Sequence, residues 1–96
     1  MSIEITYYSA APNQNMYGGP ISSETLTTSG THAESGATPA NAMYVRLKGL
    51  ANDRYSYGSA PVATATAGAQ GNYIATGDVI DIVAVSGNKV SGITAS

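Results

Sequence analysis

The chain has 96 residues with four basic and six acidic side chains, a formal charge of −2. Four cations give no electrostatic footprint for nucleic acid or an anionic membrane, and no apolar run is long enough to cross a bilayer. Without cysteine and with one histidine, neither a disulfide framework nor a zinc site is expected. Alanine, serine, threonine and glycine fill 47 of the 96 positions, whereas isoleucine, valine and leucine fill 16. At this low net charge such a composition predicts one folded domain with a thin core. The missing stabilisation is then expected from copies of the chain or from a larger assembly. Met1-Ser2-Ile3-Glu4 has no basic region followed by an apolar stretch, so no secretory leader is expected.

In chain order, β-branched and aromatic residues cluster in short runs separated by Gly, Pro, Asn and Ser, and helical periodicity is absent. Ile3-Glu4-Ile5-Thr6-Tyr7-Tyr8 alternates, with Ile3, Ile5 and Tyr7 on one face. A breaker-rich loop over residues 12–20 follows, and then a Thr/Ser-rich run over 21–28 that reads as an exposed or edge strand. Residues 30–41 are polar and small, and read as an extended connection.

Met43-Tyr44-Val45-Arg46-Leu47-Lys48 is the clearest amphipathic strand. Met43, Val45 and Leu47 are expected inward, and Tyr44, Arg46 and Lys48 outward. Gly49 and Ala51-Asn52-Asp53 predict a turn into Arg54-Tyr55-Ser56-Tyr57, forming a hairpin. The Ala/Thr tract over residues 62–71 reads as strand, long loop or both. Asp78-Val79-Ile80-Asp81-Ile82-Val83-Ala84-Val85 is apolar on both faces apart from its aspartates, as in a strand covered on both sides. Ser86-Gly87-Asn88-Lys89 turns the chain into a last strand over 90–94. Seven to eight short strands predict an all-β fold, a single β-sandwich of jelly-roll or immunoglobulin-like type.

No catalytic constellation emerges. His32 could pair with Glu34 and a nearby serine, but those residues sit in a small-residue loop, and a solvated loop position is the expectation. Asp78 and Asp81, three apart on a strand, point to opposite faces and do not converge. Asp81 reads either as a solvent-facing edge residue or as the partner of Arg46, Lys48 or Arg54. Gly68-Ala69-Gln70-Gly71 lacks the lysine and following helix of a phosphate loop, and reads as a turn. Tyr7, Tyr8, Tyr44, Tyr55, Tyr57 and Tyr73 fall on predicted strands, for core and interface packing or else for stacking on sugars. Tyr44, Arg46, Lys48, Arg54, Tyr55, Tyr57 and Asp81 are the interface candidates, because charges on small-residue strands give register and specificity.

From residue 25 onward the sequence resembles small β-proteins of tailed bacteriophages. The resemblance runs through Glu24-Thr25-Leu26-Thr27-Thr28-Ser29-Gly30-Thr31, Ala37-Thr38-Pro39-Ala40-Asn41-Ala42, Tyr44-Val45-Arg46-Leu47 and Arg54-Tyr55-Ser56-Tyr57-Gly58. It continues through the Ala/Thr tract over 61–68, Tyr73-Ile74-Ala75-Thr76-Gly77-Asp78 and Gly87-Asn88-Lys89-Val90, and covers roughly residues 21–96. It implies a β-sandwich domain over 21–96, with 1–20 as a strand or arm that engages a neighbour. It further implies a non-enzymatic virion component without cofactors, a capsid decoration (cement) protein. Such a protein would bind the major capsid protein on the outer surface of the head as a homo-oligomer, a trimer by that resemblance, with no nucleic-acid or membrane partner. A tail, fibre or neck component of the same particle is the first alternative. A carbohydrate-binding β-sandwich module using surface tyrosines such as Tyr44 is the second.

Overall fold

The computed structural model describes residues 1–9 and 20–95. Among these, every regular element is a strand: β1 (Ser2–Tyr8), β2 (Pro20–Thr27), β3 (Ala33–Glu34), β4 (Tyr44–Gly49), β5 (Asp53–Gly58), β6 (Asn72–Ile74), β7 (Val79–Val83) and β8 (Lys89–Thr94). They form two antiparallel four-stranded sheets, ordered β2-β1-β4-β7 and β3-β8-β5-β6. The all-β sandwich expected from the sequence is therefore present.

The strand alternation explains the core. Ile3, Ile5 and Tyr7 on β1, Leu26 on β2, and Val45 and Leu47 on β4 line the inner face of the first sheet. Ile74 and Val90 meet them from the second sheet, with Tyr55 and Tyr57 packed alongside. Full burial of an isoleucine, leucine or valine contributes about 1.5–3 kcal/mol, so this short roster gives a modest total. Gly92 on β8 keeps the layers close. A Cβ there would stand 3.0 Å from Leu26, 3.1 Å from Thr28 and 3.2 Å from Ile3.

Hydroxyl groups supplement this core. Thr28, Ser35, Thr38, Ser56 and Ser91 are buried. Ser35 Oγ accepts from Val90 N–H at 2.9 Å, Ser91 Oγ accepts from Ala63 N–H at 2.9 Å, and Thr38 Oγ1 donates to Asn88 O at 2.7 Å. Each satisfies a backbone group that would otherwise be costly to bury. Small polar residues thus latch loops onto sheets.

Several expectations change. The strand expected within residues 1–20 is β1, and it lies inside its own sheet between β2 and β4. Ile3 and Ile5 are fully buried there, so β1 belongs to the same sandwich as 21–96. Residues 10–19, the remainder of the expected arm and most of the expected loop over 12–20, lie outside the described residues. The Thr/Ser-rich run is an edge strand, β2, as expected. The connection over 30–41 contains the two-residue β3, which pairs with β8.

β4 and β5 do not form a hairpin; the turn after Gly49 carries the chain from one sheet to the other. Each strand has one apolar face, and placing the two strands in facing layers buries both faces against each other. Met43 is 52 % exposed rather than inward, because it precedes Val45, the first β4 residue that the core covers. β7 is not covered on both sides. It is the outer strand of the first sheet, with Ile80 and Ile82 packed against the core and Val79, Asp81 and Val83 on the exposed face.

The tract over 62–71 contains no strand and packs as a strap on the outer face of the second sheet. Gln70 Oε1 accepts from Val62 N–H at 2.8 Å and from Ser56 Oγ at 3.1 Å. Arg54 donates to Gly71 O at 2.7 Å. No segment of the described chain straps the outer face of the first sheet, which leaves the two faces of the sandwich unlike.

Candidate functional site

The outer face of the first sheet is ordered in rows by strand register. One row is Thr25, Glu4, Lys48 and Val79; the next is Ser23, Thr6, Arg46 and Asp81; a third sets Tyr8 beside Tyr44 and Tyr44 beside Val83. Direct cross-strand neighbours on one face interact most strongly in a sheet. Here they build a mixed patch of charges, aromatic rings and valines.

Arg46 organises the patch. Its Nε donates to Asp81 Oδ1 at 2.8 Å and its Nη2 to Asp81 Oδ2 at 3.2 Å, the two-pronged geometry that suits a guanidinium and a carboxylate. The guanidinium carbon lies 5.4 Å from the Tyr8 ring centre and 5.6 Å from that of Tyr44. The two rings stack at 4.6 Å, nearly parallel. The hydrogen bond with Asp81 holds the Arg46 guanidinium above its ordinary range, so it keeps its charge at any working pH. Cation, rings and carboxylate hold one another in place on the outer face of the sheet.

Three of the sequence-derived interface candidates, Arg46, Lys48 and Asp81, come together on this face. Of the two readings open for Asp81, edge residue and ion-pair partner, both hold at once. Tyr44 also lies on the outer face, but it is only 7 % exposed beneath Tyr8 and Arg46. The expectation of an open Tyr44 ring for sugar stacking is corrected accordingly. Arg54 sits on the second sheet, where it holds the strap and lies 5.3 Å from the Tyr73 ring centre. Tyr55 and Tyr57 are turned to the core side. Burial raises the Tyr55 phenol pKa. The Tyr57 hydroxyl lies 2.7 Å from Thr38 Oγ1 and accepts from Val85 N–H at 3.1 Å, which ties the end of β5 to the chain between β7 and β8.

No known protein family, curated protein or solved structure matches the chain.

Other residues weighed for chemistry are dispersed. His32 Nδ1 lies 3.4 Å from the Ser91 hydroxyl, while Glu34 approaches Lys89 at 3.8 Å rather than His32. Asp78 accepts from Ala75 N–H at 3.0 Å at the turn, apart from Asp81. Among the described residues no three His, Asp or Glu side chains gather as a metal site.

Sequence reasoning missed Tyr8, Val79 and Val83 as members of the patch. Val79 is 54 % and Val83 79 % exposed. Their alternation with Ile80 and Ile82 is visible in the sequence, but a run apolar on both faces looks the same whether its second face is covered or open. Asp53 was also missed. It is fully buried, and its Oδ1 accepts from Thr28 Oγ1 at 2.8 Å.

Proposed function

We propose that this chain is a non-enzymatic structural protein of a tailed-bacteriophage particle, which decorates and stabilises the capsid as a homo-oligomer bound to the major capsid protein. The observation that carries the reading is the unlike treatment of the two sheets. One outer face is strapped by the chain's own residues 62–71; the other presents a fixed array of rings, charges and exposed valines. A surface whose side chains are already held in place loses little entropy when a partner covers it. The thin core gives a second support, since a subunit with little internal burial gains stability when its neighbours cover apolar surface. The resemblance of residues 21–96 to small phage β-proteins supplies the particle. Repetition of one shell site over many positions lets modest contacts reinforce a capsid.

The test is to assemble heads with and without this protein and image them. The reading expects density on the outer surface of the head at regular positions, and shells without the protein that break at lower temperature. Density confined to the tail, fibre or neck overturns the capsid assignment in favour of the first alternative. Failure to associate with any part of the particle overturns the reading.

A further inference from the structure

Among the described residues nothing pairs with the outer edges of β2 and β7 in the first sheet, and these two edges complement each other. In the register of β4 with β7, Gly49 N–H donates to Asp78 O and Ala84 N–H donates to Met43 O. Even-numbered β7 residues therefore hydrogen-bond to β4. The alternation of an antiparallel ladder then turns the N–H and C=O groups of Val79, Asp81 and Val83 toward the open edge. On the opposite edge, Thr28 N–H donates to Met1 O, so even-numbered β2 residues bond to β1. Ser23, Thr25 and Thr27 are thus the β2 residues whose backbone groups face outward. Strand directions alternate across the sheet, so β2 and β7 run in opposite senses.

We propose that β7 of one copy pairs with β2 of a second copy, head to tail, extending the first sheet across subunits. The proposal rests on the homo-oligomeric part of the preceding reading, and names its surface. Asp81 decides the partner. If β7 paired with β7 of a second copy at full overlap, the two Asp81 carboxylates would stand directly opposite, and like charges there are destabilising. If β7 pairs with β2, Asp81 faces Thr25 of the second copy. The Thr25 hydroxyl has no hydrogen-bond partner among the described residues and can donate to the Asp81 carboxylate beside the bonds that it accepts from Arg46.

The same register sets Val79 against Thr27 and Val83 against Ser23 on the outer face, and Ile80 against Leu26 on the core side. No like charges oppose each other, and all three outward-facing residues of each edge are matched in phase. β7 also lacks most of the usual guards of a free edge: proline, glycine and lysine are absent from Val79–Val83. A head-to-tail contact of this kind uses two different surfaces of one chain. It closes into a ring when the rotation between copies permits.

The absence of cysteine makes disulfide trapping a clean test. Val83→Cys and Ser23→Cys proteins, mixed and mildly oxidised, are expected to form a covalent pair joining one copy of each, whereas neither forms pairs alone. Val79→Cys and Val83→Cys proteins, mixed with Asp81 intact, are expected not to cross-link, and their efficient linkage would establish β7–β7 pairing and overturn the proposal. Val83→Lys, a change at an exposed position, is expected to shift the sedimenting mass from several copies to one while the far-ultraviolet dichroism stays that of a β-protein. An unchanged mass for Val83→Lys overturns the proposal, as does a wild-type protein that stays monomeric at high concentration. A monomer that still coats shells removes the homo-oligomeric part of the capsid reading and leaves shell binding standing, and a trapped oligomer that ignores shells leaves the edge pairing standing.

Discussion

Tyr7 shows how one side chain in this fold does two jobs. Its ring fills the core on β1, while its hydroxyl approaches Glu24 Oε2 at 3.1 Å and Gly36 O at 3.3 Å. Burial, with the nearby Glu24 charge adding to it, pushes its pKa up from 10.0 to about 12. The sign of the consequence is fixed. Below pH 10 both folded and unfolded chains hold the proton; between 10 and 12 the unfolded chain releases it first, so stability falls as pH rises through that window. Tyr7→Phe is expected to lose roughly 1 kcal/mol at neutral pH, the typical value of one hydrogen bond, and to flatten the alkaline limb. Urea titrations at pH 8, 10 and 11.5 on both proteins check this, and parallel pH dependences would refute it.

Arg46 and Asp81 are about one-third exposed, so their attraction is screened by water. A double-mutant cycle on Arg46→Met and Asp81→Asn is expected to return a coupling of about 0.2–1 kcal/mol that shrinks as salt is added. A coupling insensitive to salt would place the contribution in packing against Tyr8 and Tyr44 instead.

Among elements, the crossing from β4 to β5 depends on Gly49. A Cβ at this position would run into the carbonyl oxygen of Ala75, and its N–H and C=O are already engaged with Asp78 and Gly77. Gly49→Ala is expected to destabilise the protein by about 1–3 kcal/mol, as overpacked sites do, measured by chemical denaturation. The strap, held on the second sheet through Arg54, Ser56 and Ser91, is expected to open as a local layer. Gln70→Ala removes the acceptor shared by Val62 N–H and Ser56, and is expected to raise amide exchange across residues 62–71 while leaving β1 protected. Uniformly faster exchange would mean that the strap is part of the global fold rather than a local layer.

For the molecule as a whole, the roster of fully buried aliphatics is short, so each member matters. Ile5→Ala is expected to cost about 2–5 kcal/mol, a large share of the stability of a small domain. If neighbours complete the core, the loss in melting temperature should be smaller at high protein concentration than at low concentration. Equal losses at both concentrations would assign all the core burial to the single chain.

The sequence by itself determined the all-β class, the inward face of β1 and β4, the edge character of the Thr/Ser-rich strand and the candidacy of Arg46, Lys48 and Asp81. These follow from a two-residue period and from residue types that act within one strand. Only the tertiary structure decided that β4 and β5 lie in different sheets, that Tyr44 is covered by Tyr8, and that the strap covers the second sheet and not the first. Each depends on contacts between segments far apart in the chain, and local pattern does not encode which layer lies opposite a given face. The run over 78–85 makes the point most plainly: valines on one face and isoleucines on the other are compatible with a buried centre or an open edge, and the fold chose the edge.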